Sequence, residues 1–198
     1  MGGDRGGLVE AWYRGAPWLW LLRPVEFCYR GVIAVRRWAY SQGLFTRYRA
    51  PCPVVVVGKI TVGGTGKTPL VIALVEGLQR AGLRPGVVSR GYGATRNRFP
   101  HRVARDSEAA DCGDEPLLIA RRTGCPCVVD PDRPAAVRAL LASAPVDVVI
   151  SDDGLQHYAL ERDLEIALLD ERAGLGNGFC LPAGPLREPE ARLREVDF

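Results

Sequence analysis

Thr61-Val62-Gly63-Gly64-Thr65-Gly66-Lys67-Thr68 stands between an apolar run, Pro53-Val54-Val55-Val56-Val57-Gly58, and an amphipathic continuation, Pro69-Leu70-Val71-Ile72-Ala73-Leu74-Val75-Glu76-Gly77-Leu78. The run reads as a buried strand and the continuation as a helix. In that context a glycine-rich turn ending in Gly-Lys-Thr is a phosphate-binding loop. Glycines 63, 64 and 66 let several backbone N–H groups converge on one anion. The helix N-terminus adds partial positive charge at the same point. Residues 61–68 are therefore expected to cradle ATP, with Lys67 reaching the β- and γ-phosphates and the Thr68 hydroxyl holding Mg²⁺. Thr61 replaces the usual first glycine. The chain holds only two lysines, Lys59 and Lys67, beside 24 arginines. Keeping one in the loop points to a need for a compact ammonium there.

Outward from this stretch, strands and helices alternate. Strands are expected at 84–89, 127–129, 146–150 and 164–169, with a short one near 102–105 inside a charged excursion over 94–111. Helices are expected from the loop onward, at about 114–122 and at 132–143. The pattern predicts an α/β fold, a mostly parallel sheet flanked by helices. Ser89-Arg90-Gly91-Tyr92-Gly93 ends its strand at the carboxyl edge of such a sheet, where ligands bind. A helical segment ends at Arg192-Leu193-Arg194-Glu195, and Val196-Asp197-Phe198 reads as the entry to another strand.

The first fifty residues differ chemically from the rest. They hold eight arginines and three acids, against eighteen basic and twenty acidic residues afterwards, and all four tryptophans (12, 18, 20 and 38). The apolar run 16–22 is far shorter than the roughly 20 residues a spanning helix needs, and no cleavage site for a signal peptide follows it. Residues 24–40 read as a helix with two stripes, Arg23, Glu26, Arg30 and Arg37 on one side and Val25, Cys28, Val32, Val35 and Ala39 on the other. Tryptophan, arginine and a two-faced helix suit an anionic membrane surface, although such helices also pack on their own domain. Two regions follow, 1–50 and a core of 51–198. The six scattered cysteines form no metal-binding doublets and no disulfide framework, which fits a reducing, cytosolic setting.

Val146-Asp147-Val148-Val149-Ile150-Ser151-Asp152-Asp153 delivers two carboxylates at a strand end. One of Asp152 and Asp153 is expected to serve Mg²⁺ and the other to orient a nucleophile. Asp114 and Glu115 open a helix, where acids also serve the helix dipole. A phosphoryl acceptor needs a nearby base, and spacing alone leaves the two roles of Asp114 open. His157, behind the aspartates, either lines the site or caps the turn.

Taken together, residues 57–69, Ser89-Arg90-Gly91-Tyr92-Gly93, Gly113-Asp114-Glu115-Pro116, Asp152-Asp153-Gly154-Leu155-Gln156-His157 and Leu181-Pro182-Ala183-Gly184-Pro185-Leu186-Arg187-Glu188 resemble the tetraacyldisaccharide 4′-kinase family. The resemblance runs in order over nearly the whole chain. Thr61 is usual in that family, whereas Lys59 stands where asparagine is expected. The resemblance implies transfer of the ATP γ-phosphate to the 4′-hydroxyl of a tetraacylated glucosamine disaccharide 1-phosphate, giving lipid IVA in lipid A biosynthesis. It implies a peripheral enzyme on the cytoplasmic face of the bacterial inner membrane, held by its N-terminal helices, with no nucleic-acid partner. It makes Asp114 the catalytic carboxylate beside Lys67 and Asp153, and assigns Asp152 with Thr68 to the metal. Glu115, Arg133, Arg187 and Glu188 match positions around the sugar-phosphate head group, and Gln156 and His157 are further candidate substrate residues. It also implies a C-terminal portion beyond Phe198. A membrane-associated P-loop ATPase switch that hydrolyses ATP is the rival; a GTPase would carry an Asn-Lys-x-Asp motif, and there is none.

Overall fold

The computed structural model describes residues 5–63, 66–95 and 98–198, with backbone alone at Arg5 and Gly6. The chain divides into two compact units, one drawn from Met1–Phe45, Lys59–Thr65 and Ala167–Val196, the other from Thr46–Gly58, Gly66–Ile166 and Asp197–Phe198.

The second unit is built on a six-stranded sheet. Its strands are β1 (Val54–Gly58), β2 (Pro85–Ser89), β3 (His101–Val103), β4 (Cys127–Val129), β5 (Val148–Asp152) and β6 (Leu164–Ala167), in the spatial order β3-β4-β2-β5-β1-β6. β1 and β5 run parallel with Val54 opposite Val149 and Val57 opposite Asp152. β2 is parallel to both β5 and β4, while β3 lies antiparallel on β4. The carboxyl ends of β4, β2, β5 and β1 therefore share one edge. Val54, Val56, Val57, Val87, Val88, Val128, Val149 and Ile150 are almost wholly buried. That is why these strands read as continuous apolar runs and not as alternating ones.

Helix α3 (Lys67–Arg80) follows β1 and buries Val71 and Val75; α5 (Asp114–Thr123) and α6 (Arg133–Ser143) precede and follow β4. The expected excursion contains β3 and a four-residue helix, α4 (Ala109–Cys112). The fifth strand lies two residues later than the apolar pattern places it. Asp147 is taken instead by Arg84, whose Nε and Nη2 donate to its carboxylate at 2.9 and 2.6 Å. Asp197 and Phe198 form no strand; their N–H groups both donate to the carbonyl of Glu165 in β6. The cysteines are all free thiols, and Cys125 and Cys127 pack in the interior.

The first unit contains α1 (Arg5–Arg14), a 3₁₀ turn at Pro17–Leu22, α2 (Arg23–Ser41) and a second 3₁₀ turn at Glu190–Arg194. Helix α1 was not foreseen from the sequence. A small core forms where Ala11, Trp12 and Leu19 meet Leu8, Ala16, Leu22, Val62 and Leu181. Trp12 Nε1 donates to the Pro182 carbonyl at 3.0 Å, which satisfies its one polar atom.

Helix α2 is inside out. Glu26 of its charged stripe faces the protein, 1% exposed, paired with Arg23 at 2.9 Å and accepting from the Cys180 N–H at 3.2 Å, while Arg30 is exposed. One and three turns further on, Tyr29 donates from its hydroxyl to the Arg187 carbonyl and Arg37 pairs with Glu195. Most of the apolar stripe faces outward, with Val25, Val32 and Val35 each more than half exposed beside Phe27 and Trp38, and Cys28 also exposed, while Ala39 is buried. A helix packing on its own domain presents the opposite pattern. Among the described residues no helix is long and apolar enough to cross a membrane.

Candidate active site

At the carboxyl edge of the sheet the second unit gathers several of the ionisable groups that the sequence singles out. Gly66, at φ +64°, turns the chain into α3 and sets Lys67 and Thr68 on its first turn, both mostly buried. The left-handed backbone at that point favours glycine. Lys67 Nζ lies 3.0 Å from Asp153 Oδ1. Asp153 itself has φ +50°, uncommon for a residue with a side chain. The close approach of the following Gly154 explains the tight turn, since a Cβ there would come within 2.5 Å of Ser151 Oγ.

Asp152 is 1% exposed at the end of β5. Its Oδ2 accepts from Ser89 Oγ at 3.1 Å, at the end of the neighbouring β2. Its Oδ1 is buried and has no hydrogen-bond partner. Burial pushes the Asp152 carboxyl above its ordinary range, and Glu115 and Asp153 push the same way, while Lys67 and the Ser89 hydrogen bond oppose them. A buried carboxylate with one open oxygen, crowded by two further anions, is the chemistry a cation would relieve. Together with the Thr68 hydroxyl it fits a divalent ion. Among the described residues no cluster of three or more His, Cys, Asp or Glu side chains is grouped for a metal, so Mg²⁺ here would take most of its ligands from phosphate and water, as is usual for that ion.

Arg133 lies beneath this group at 1% exposure. Its Nη1 donates to the Asp130 carbonyl at 3.0 Å and its Nη2 to the Asp152 carbonyl at 2.8 Å. Burial draws its pKa down to about 10, against the pull of Asp152 and Asp153.

Asp114 and Glu115 sit exposed on the first turn of α5, after Gly113 at φ +86°. Gln156 and His157 are half-buried; the His157 N–H donates to the Gly154 carbonyl and its own carbonyl accepts from Arg162, so its backbone closes the turn.

The remaining expected residues belong to the first unit or lie outside the described residues. Gly64 and Thr65 are outside them. The Val62 N–H donates to the Pro185 carbonyl at 2.8 Å, buried Thr61 bridges Leu186, and Gly63 is exposed at φ +121°. The Arg187 N–H donates to the Ile60 carbonyl at 2.6 Å. Glu188 is 1% exposed and lies 3.3 Å from Arg192, itself buried. Sequence reasoning missed Ser89 as a site residue and Asp130 altogether. Both sit at strand ends, and only the order of strands shows that β2 and β5 are neighbours.

The family described as tetraacyldisaccharide-1-P 4′-kinase (LpxK) matches residues 18–198. The tetraacyldisaccharide 4′-kinase of Azotobacter vinelandii is 63% identical over 190 residues, covering 96% of this chain and 57% of its own length. That of Ectopseudomonas mendocina is 61% identical over the same shares. The crystal structure of LpxK from Aquifex aeolicus in complex with ATP superposes with a TM-score of 0.81 at 33% identity, covering 90% of this chain and 57% of the other. The chain thus spans 57% of the length of these relatives.

Proposed function

The chain belongs to the tetraacyldisaccharide-1-P 4′-kinase family, and from that premise we propose that it serves transfer of the ATP γ-phosphoryl group to the 4′-hydroxyl of tetraacyldisaccharide 1-phosphate. The observation that carries this reading is the ion pair of Lys67, on the first turn of α3, with Asp153, next to the buried Asp152 at the end of β5, whose Oδ1 has no hydrogen-bond partner. Residues 61–68 hold the triphosphate, and Lys67 exchanges Asp153 for phosphate oxygens when ATP enters. Thr68 and Asp152 would hold Mg²⁺. The ion supplies charge neutralisation across the phosphates when bound.

In the transfer, the acceptor oxygen forms a bond to the γ-phosphorus while the bond from that phosphorus to the bridging oxygen breaks, leaving ADP. The hydroxyl proton passes to a carboxylate. Asp114 is assigned that role on the family resemblance, and its exposed place on the first turn of α5 leaves it accessible. Asp153, once released by Lys67, is placed to orient the reacting groups. Glu115, Gln156, His157 and Arg187 are assigned to the head group. Glu188, buried against Arg192, supports that loop from within.

The outward apolar stripe of α2 supports an interfacial location. A glycolipid acceptor is presented at a membrane surface, and a helix that buries Glu26 while exposing valines, Phe27 and Trp38 suits lipid better than water. We place the protein peripherally on the anionic cytoplasmic face of the inner membrane.

The test follows label from γ-³²P-ATP in mixtures of intact protein, Mg²⁺ and tetraacyldisaccharide 1-phosphate. Label on the glycolipid that falls by about 10²-fold or more in Lys67→Met is expected. Label appearing only as free phosphate would favour the ATPase switch. Undiminished transfer by Lys67→Met would overturn the P-loop mechanism.

A further inference from the structure

We propose that Arg133 is a positioning residue for the cation site: its guanidinium ties the ends of β4 and β5 together so that Asp152 presents one oxygen to the divalent ion, and it does not touch the acceptor. This rests on the kinase reading above and departs from the head-group role that the family resemblance gives Arg133.

The geometry starts from the strand order. β4 and β5 are not neighbours; β2 lies between them. Arg133 is the first residue of α6, and α6 is capped by Asp132, whose Oδ1 accepts from the Ala135 N–H. From there its fork spans the end of β2, one Nη on the carbonyl of Asp130 just past β4 and the other on the carbonyl of Asp152. Asp152 is thereby fixed on three sides. Its backbone is paired opposite Val57, its carbonyl is held by Arg133, and its Oδ2 is held by Ser89. The one atom left open is Oδ1.

Two further points favour positioning over acceptor contact. At 1% exposure Arg133 is shielded from a glycolipid, and each Nη donates to a backbone carbonyl, while its buried Nε has no hydrogen-bond partner. A buried cation is also a poor stabiliser, because removing it from water is costly and an apolar side chain of that size often serves stability as well or better. Its surroundings explain its presence: Asp152, Asp153 and Asp130 are close enough to favour its charge, with Arg90 opposing. A planar fork reaches two carbonyls at once, which an ammonium cannot do.

The experiment uses the intact protein with Arg133→Met and Arg133→Lys. ATP binding is measured by calorimetry in EDTA and again across a Mg²⁺ titration, with thermal unfolding recorded alongside. In Arg133→Met the Mg²⁺ midpoint for nucleotide binding is expected to rise by about tenfold or more, the usual effect of losing a group that orients a ligand. ATP affinity in EDTA, which depends on residues 61–68, is expected to stay unchanged. Arg133→Lys, able to restore one carbonyl contact, recovers part of the Mg²⁺ response. If Arg133→Met does not fold, the smaller Mg²⁺ shift in Arg133→Lys carries the test. Parallel weakening with and without Mg²⁺, no Mg²⁺ shift, or a change confined to the acceptor KM each overturns the proposal. Wild-type protein that binds no ATP at all overturns the kinase reading itself, and this inference with it.

Discussion

Replacing Val32 and Val35 together by aspartate tests the outward face of α2. Both side chains are about two-thirds exposed, so in water they contribute little to folding, and exposed substitutions typically change stability by about 0.5 kcal/mol or less. Against lipid the arithmetic differs. Fully burying a valine is worth about 1.5 kcal/mol, so the surface still open on each corresponds to about 1 kcal/mol of transfer. Two new carboxylates near an anionic surface add a penalty of about 1 kcal/mol each, by analogy with the attraction of a basic residue. The sum, about 4 kcal/mol, is nearly a 10³-fold loss in partitioning at 1.4 kcal/mol per decade. Sedimentation with vesicles containing acidic phospholipid reads that loss, and urea unfolding without lipid reads the folding side. The inward stripe supplies the contrast. Glu26→Gln leaves Arg23 without its buried partner, and breaking such a pair costs about 3 kcal/mol or more. Vesicle binding of the Val32→Asp/Val35→Asp protein within tenfold of wild type would refute the lipid-facing assignment. So would a large loss of stability in water, because it would mean that protein already covers the stripe.

Gly113→Ala is expected to destabilise the protein by about 1–3 kcal/mol from its backbone angle alone, and further because the added Cβ would come within 2.3 Å of the Tyr92 carbonyl oxygen; an unchanged melting temperature would contradict this account of how α5 begins. Asp147 carries an acid-dependent contribution to stability. The side-chain hydrogen bond from Arg84, then that from its backbone N–H, holds the Asp147 carboxyl down at about 2 from an ordinary 3.8. A depressed carboxylate stabilises the fold above its unfolded pKa and loses that contribution as pH falls through the folded value, so Asp147→Asn should flatten the urea midpoint between about pH 4 and pH 2. An acid limb identical in wild type and variant would refute the assignment.

The strands were legible because they are buried on both faces, so Val54–Val57 and Val148–Ile150 leave unbroken apolar runs that periodicity registers directly. Their ends were less so. Val146 and Asp147 look like the start of a strand by composition, but the Arg84 hydrogen bonds that hold Asp147 come from a residue 63 positions away. Helix α1 escaped notice because its sequence, rich in glycine and charge, has little amphipathic pattern; Trp12, reaching Pro182 across 170 positions, ties it down.

For the site, legibility followed whether a role depends on local backbone or on strand order. The phosphate loop is local: glycines, lysine and threonine declare it within eight residues. The two aspartates at the end of β5 are nearly as plain, though which of them meets Lys67 is decided by the turn at Asp153, where φ becomes positive and swings that carboxylate toward the helix. Ser89 and Arg133 are different. Each acts on Asp152, 63 and 19 positions along the chain, and each does so only because β2 lies between β4 and β5. The two stripes of α2 were likewise visible in the sequence, yet which one faces inward depends on Glu26 meeting the Cys180 N–H and Tyr29 meeting the Arg187 carbonyl, both more than 150 residues away. Periodicity finds the faces of a helix; the assignment of faces to protein or to solvent comes from partners distant in sequence, and here those partners are polar.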